Sequence, residues 1–295
     1  MKNLILALPG AEELGESLAQ QLHCGAIPVE IHRFPDGEQR VRLCASTEGC
    51  RVLLAAHLDH PDDRTLPLVF AADAARELGA GEVGLVAPYL PYMRQDKRFQ
   101  PGEAITSRSY ARLLSAPLDF LVTVDPHLHR WRSLDVIYRI RTQVVSAAPA
   151  IAAWLQRELP DCVLIGPDGE SAQWVADVAG RIGAPFVVLE KERHGDREVL
   201  VHLPSDFDPQ GRTPVLVDDI VSTGQTLIAA AQALRSAGWG APTAVTVHAL
   251  MEREDVEALH RAGVPRIVSC DTVTHPTNAI SVRGLLAEAL RGMLA

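Results

Sequence analysis

Residues 214–234 read PVLVDDIVSTGQTLIAAAQAL. Val215, Leu216 and Val217 form an apolar, β-branched run suited to a buried strand. Asp218 and Asp219 stand side by side at its end. Residues 220–225 read as a short polar turn. From Leu227 the chain is alanine-rich and helical, with Leu227, Ala230, Ala231 and Leu234 on one face. A helix N-terminus presents unpaired N–H groups and a partial positive charge, which suits a phosphate monoester. Gly224 lets the backbone approach closely, and the hydroxyls of Ser222, Thr223 and Thr226 can donate to phosphate oxygens. Two carboxylates beside a phosphate call for a sugar with vicinal hydroxyls, for Mg²⁺, or for both. Asp, Ser and Thr are also ordinary N-caps. A paired Asp, three hydroxyls and a Gly in one stretch favour the phosphate site. No GxxxxGK[ST] occurs, so this is not a Walker loop.

Outward from this stretch the chain alternates strand and helix. In the first half, strands are predicted at 4–8, 29–32, 39–43, 52–56, 83–87 and 121–124. Helices are predicted at 12–22, 65–78 and 106–114. In the second half, strands fall at 163–165, 186–189, 215–217, 244–248 and 267–269, with a short candidate at 199–202. Helices fall at 147–159, 171–182, 253–262 and 281–294. That alternation marks an α/β fold of mainly parallel sheets flanked by helices. With 295 residues, two domains are expected. We place them at 1–145 and 146–295, with the last helix packing back on the first.

A net charge of −9 argues against general nucleic-acid binding. The five cysteines are scattered, with no CxxC, so neither a zinc site nor a disulfide framework is expected. The opening MKNLILALPG reads as a first strand, not a signal peptide. No apolar stretch approaches the ~18 residues needed to span a bilayer. The expected location is the cytoplasm, with no membrane partner.

Ligands of parallel α/β sheets sit beyond the carboxyl ends of the strands. Five polar clusters fall at such places. Arg94-Gln95-Asp96-Lys97-Arg98 follows two prolines and two tyrosines, and reads as a polyphosphate grip or a solvated loop. Asp125-Pro126-His127-Leu128-His129 offers two histidines for a metal, or a polar cap. Gly166-Pro167-Asp168-Gly169-Glu170-Ser171 places Asp168 where a carboxylate could face Mg²⁺, while Ser171 suits a helix cap. Lys191-Glu192-Arg193-His194-Gly195 suits a mobile flap carrying positive charge, or an exposed hairpin. Arg33-Phe34-Pro35-Asp36-Gly37-Glu38 could stack and hydrogen-bond a purine, or form a plain turn.

In order along the chain, these segments resemble the ribose-phosphate pyrophosphokinase (phosphoribosyl pyrophosphate synthetase) family. FPDGE resembles the family's Phe-Ser-Asp-Gly-Glu, and PYMRQDKR its Pro-Tyr-x-Arg-Gln-Asp-Lys/Arg. VDPHLH resembles its Val-Asp-Leu-His, GPD its Ser-Pro-Asp, and EKER the Lys-x-Arg of its flexible loop. VDDIVSTGQT resembles its ribose-phosphate loop, and DTVTHPTNAISV the segment before its last helix. The resemblance implies two tandem phosphoribosyltransferase-like domains. It also implies transfer of pyrophosphate from MgATP to the C1 hydroxyl of ribose 5-phosphate, giving phosphoribosyl pyrophosphate and AMP. Phe34, Asp36 and Glu38 would hold the adenine of ATP bound mainly by a neighbouring subunit, which implies a homodimer or larger assembly. Arg94, Gln95 and Asp96 would bind ATP. His127 and Asp168 would hold Mg²⁺, and Lys191 and Arg193 would be catalytic. Asp218, Asp219, Ser222, Thr223, Gly224 and Thr226 would bind ribose 5-phosphate.

The chain also departs from that family. Glu170-Ser171 replaces the usual Gly-Gly after Pro-Asp, Ser222 stands where many members have Asp, and Gln225 replaces a Gly. After Leu43 the usual Glu-Ser-Val-Arg-Gly is absent and the chain reads CASTEGC, which bears on regulation. Two other readings share parts of the pattern. A phosphoribosyltransferase would use the central loop without needing Arg94, His127 and the Lys191–Arg193 pair. A non-catalytic, regulatory relative would be expected to have lost His127 or the flap cations.

Overall fold

A computed structural model describes residues 1–194, 198–202 and 209–295, with side chains for all of these but 190–194 and 198–202. The elements run β1 (Lys2–Ala7), α1 (Glu12–Leu22), β2 (Gly25–Arg33), β3 (Gln39–Leu43), β4 (Cys50–Ala55), α2 (Pro61–Glu77), β5 (Glu82–Val86), α3 (Thr106–Leu114), β6 (Phe120–Val124) and β7 (Arg141–Val145). Then come α4 (Ala148–Glu158), β8 (Cys162–Gly166), α5 (Ala172–Ile182), β9 (Phe186–Val188), β10 (Glu190–His194), β11 (Glu198–His202), β12 (Thr213–Val221), α6 (Gln225–Ser236), β13 (Thr243–Ala249), α7 (Arg253–Arg261), β14 (Arg266–Cys270), β15 (Asn278–Ile280) and α8 (Arg283–Leu294). Among the described residues no helix is long and apolar enough to cross a membrane.

The chain forms two compact units. One holds residues 1–146, 272–274 and 283–295; the other holds 147–271 and 275–282. The first contains a seven-stranded sheet of order β3-β2-β1-β4-β5-β6-β7. All its pairs are parallel except β2 with β3, a hairpin. β6 is buried at every position, as expected of a strand covered on both faces. Leu54, Leu85 and Leu121 pack with Leu68, Ala71 and Ala72 of α2 and with Tyr110 and Leu114 of α3. α8 belongs to this unit, burying Leu286, Ala287 and Leu290. Arg283 pairs with Glu13 (3.1 Å), and the Leu294 carbonyl accepts from Arg51 (2.9 Å).

The second unit contains an all-parallel sheet of order β15-β14-β13-β12-β8-β9 and an antiparallel hairpin, β10 with β11. Leu216 and Ala244 pack against Leu227, Ala230, Ala231 and Leu234 of α6 and Leu259 of α7. The sequence places Asp218 and Asp219 at a strand's end, but they lie within β12. The cause is β13, which runs alongside as far as Ile220 opposite His248 and Val221 opposite Ala249. The other neighbour, β8, pairs only through residues 213–216. Both carboxylates therefore stand past the edge where β8 stops. The helix also starts earlier than expected, with Gln225 and Thr226 in its first turn.

Candidate active site

The stretch 214–234 lies in the second unit. Gly224 caps α6 in the left-handed region, at φ 70°. A Cβ there would also lie 3.0 Å from the Leu259 side chain, so glycine is required twice over. The cap has no side chain, so the first-turn N–H groups take no acceptor from it. Ser222 and Thr226 are half-buried and Thr223 is exposed, which leaves hydroxyls lining the entry to a helix N-terminus. The acidic pair beside it is locally braced. Asp218 accepts from the Asp219 N–H (2.9 Å), and Asp219 accepts from the Ile220 N–H (2.7 Å).

Asp168 lies within electrostatic reach of Asp218. It follows β8, caps a short 3₁₀ turn, and accepts from the Glu170 N–H at 3.1 Å. Asp218 keeps partial solvent access as a residue, but its carboxyl is set deep among protein atoms. Desolvation, the Asp219 carboxylate and the Asp168 carboxylate hold it well above the usual range. A desolvated carboxylate beside that of Asp219 and within electrostatic reach of Asp168 favours a cation or a set of donor hydroxyls. Ser171, expected as a helix cap, makes no cap bond to α5. Its hydroxyl turns back to the Asp168 carbonyl (2.7 Å) and rests over Gly166, where a Cβ would strike it.

In the first unit, β5 and β6 are neighbouring parallel strands, so the loops that leave them run side by side. Arg94, Lys97 and Arg98 are exposed on the first loop. Two strained residues aim these loops: Tyr92 has φ 62° and Asp125 φ 33°, both rare for residues with a side chain. His127 is half-buried, with its ring 4.4 Å from that of His129. Asp96 faces inward. Its side chain is 0% exposed, and both oxygens accept from Arg130 Nη1 (2.9 and 3.2 Å).

Gln95 is held by Glu103 (3.1 Å), whose carboxylate also accepts from the N–H groups of Phe99 (2.7 Å) and Gln100 (3.0 Å). Those N–H groups lower the Glu103 pKa. Neither Glu103 nor Arg130 was signalled by sequence. Their partners lie 8 and 34 residues away, outside any local motif.

Lys191 and Arg193 fall on the backbone of β10, and their side chains lie outside the described residues. Phe34, Asp36 and Glu38 are exposed at the tip of the β2–β3 hairpin. The turn satisfies itself: Phe34 N–H to the Glu38 carbonyl (2.8 Å), Gly37 N–H to the Phe34 carbonyl (2.9 Å), and Glu38 N–H to the Asp36 carboxylate (3.1 Å). The Phe34 ring, 41% exposed, meets His32 edge-on.

Residues 3–117 match the family model described as the N-terminal domain of ribose phosphate pyrophosphokinase, and residues 139–283 match the phosphoribosyl transferase domain. Ribose-phosphate pyrophosphokinase of Methanopyrus kandleri is 39% identical over 98% of this chain and 99% of its own. That of Methanothermobacter thermautotrophicus is 33% identical over 98% and 100%. The crystal structure of phosphoribosylpyrophosphate synthetase from Mycobacterium smegmatis has the same fold, with a TM-score of 0.86 at 24% identity over 99% of both chains. With two matching domains in tandem and end-to-end relatives above 30% identity, the chain belongs to the ribose-phosphate pyrophosphokinase family.

Proposed function

We propose that the chain transfers the β,γ-pyrophosphoryl group of MgATP to the C1 hydroxyl of ribose 5-phosphate, giving phosphoribosyl pyrophosphate and AMP. The observation that carries this reading is the acidic pair Asp218–Asp219 near the end of β12, within electrostatic reach of Asp168, followed by a helix N-terminus with no side-chain cap. The phosphate of the sugar takes the N–H groups and hydroxyls of residues 222–226. Its ring hydroxyls donate to Asp218 and Asp219, which relieves the crowding of like charges and presents C1–OH. Arg94 and Gln95, on a loop clamped by Glu103, hold the nucleotide. Lys191 and Arg193 neutralise charge on the transferring group. The work is positioning and charge neutralisation, as expected for phosphoryl chemistry.

The donor set fits Mg²⁺: hard carboxylate oxygens in excess of local positive charge. Asp168 and His127 are the residues that would hold Mg²⁺. Bound there, Mg²⁺ supplies charge stabilisation to the phosphate oxygens.

The exposed tip carrying Phe34, Asp36 and Glu38 completes the adenine site of another copy, so the active unit is a homodimer or larger. The chain works in the cytoplasm. A phosphoribosyltransferase, the nearest rival, leaves the match of residues 3–117 without a use. The test is AMP release from ATP and Mg²⁺ by purified protein. It should require ribose 5-phosphate; AMP release without the sugar phosphate refutes the reading.

A further inference from the structure

We propose that Arg130 is a nucleotide-binding residue that grips phosphate oxygens of ATP, and that buried Asp96 is the positioning residue that aims it. The proposal rests on the function given above and adds a residue to its nucleotide side. Asp96 takes Nη1 of Arg130 with both oxygens (2.9 and 3.2 Å). The other edge of the guanidinium, Nε and Nη2, has no protein partner among the described residues. The Arg130 side chain is 45% exposed while that of Asp96 is 0% exposed. A guanidinium fixed at one nitrogen and open along its second edge suits bidentate contact with a phosphate.

Its place suits the same ligand. Arg130 lies three residues after His127, on the loop leaving β6, and Asp96 lies on the adjacent loop leaving β5. The ion pair therefore ties together the two loops expected to meet the nucleotide. Asp96 balances one cation only. Lys97 and Arg98 stay exposed on the rim of the same loop.

The surroundings hold the group still. The Phe99 ring has Lys97 Nζ 5.0 Å and the Arg130 guanidinium carbon 5.9 Å from its centroid. Glu103 fixes the Phe99 backbone. Trp131, next in sequence, donates to Ser107 (3.3 Å), whose hydroxyl donates to the Gln95 carbonyl (3.1 Å). A polyphosphate fits this rim better than the sugar phosphate, whose phosphate has its own loop at residues 222–226.

The test compares Arg130→Gln, Arg130→Lys and Asp96→Asn with wild type. It uses the full chain with Mg²⁺ and measures ATP affinity by calorimetry without sugar phosphate, KM for each substrate, and Tm. Arg130→Gln should weaken ATP binding and raise its KM about tenfold or more, the loss of a charge-assisted contact. The KM for ribose 5-phosphate should stay unchanged. Arg130→Lys keeps the ion pair with Asp96 but loses the second edge, so it should keep the wild-type Tm and still lose ATP affinity. Asp96→Asn should shift ATP affinity in the same direction without touching the ligand.

Wild-type ATP affinity in Arg130→Lys and Arg130→Gln overturns the proposal. So does equal weakening of both substrates with a lowered Tm, which would mark a structural ion pair. Unchanged ATP affinity in Asp96→Asn overturns its positioning role. If wild type binds ATP but releases no AMP, the proposed reaction fails while the binding result still decides the role of Arg130.

Discussion

The Asp218 carboxyl is desolvated, adjoins Asp219 and feels the charge of Asp168, so its own charge is held there against the stability of the ligand-free fold. Asp218→Asn should therefore stabilise the ligand-free protein, read as a raised Tm. The same change removes an acceptor for a ribose hydroxyl, and the KM for ribose 5-phosphate should rise about ten- to a hundredfold. A lowered Tm with unchanged KM would show that the carboxylate is structural. The flap cations are expected to behave differently. Lys191→Ala and Arg193→Ala should each lower kcat with little change in ribose 5-phosphate binding. Loss of charge stabilisation made only in the transition state is worth roughly 2.7–4 kcal/mol. Near wild-type kcat in both variants would remove them from the mechanism.

Among the strands, register is fixed by a size match that periodicity does not report. Gly84 on β5 lies opposite Phe120 on β6, and a Cβ on Gly84 would overlap the Phe120 ring. The Arg141 guanidinium lies over the same ring, 5.3 Å from its centroid. Gly84→Ala should destabilise by about 1–3 kcal/mol or more, as overpacking does. Denaturant unfolding would measure this, with activity per folded molecule retained; an unchanged midpoint would contradict the packing argument. The apolar runs of β1, β4, β6 and β12 were readable because burial on both faces demands them. The loop at 222–226 was readable because helix entry, glycine and hydroxyls are adjacent in sequence. The extension of β12 through its aspartates depends on the length of β13. The pairing of Asp96 with Arg130 depends on two loops brought together by neighbouring strands. Neither has a local sequence signal. The same holds for Ser171, whose hydroxyl serves the Asp168 turn instead of a helix cap.

Regulation and turnover belong to the whole molecule. The loop at 44–50, which departs from the family pattern, is fastened to the end of α2. The Thr47 hydroxyl donates to the carbonyls of Ala75 (2.8 Å) and Leu78 (3.0 Å), and a Cβ on Gly79 would collide with Glu48. Thr47 is thus committed, and Glu48 repels anions. ADP should inhibit only by competing with ATP, and inorganic phosphate should not be required. Initial rates against ADP at several ATP levels, with and without phosphate, check this; inhibition persisting at saturating ATP would contradict it. The reaction itself is best followed with ATP labelled at the β-phosphorus, Mg²⁺ and ribose 5-phosphate. The label should move to the ribose C1 position while the released nucleotide is unlabelled AMP. Label retained in released ADP, or no transfer to the sugar phosphate, would contradict the assignment.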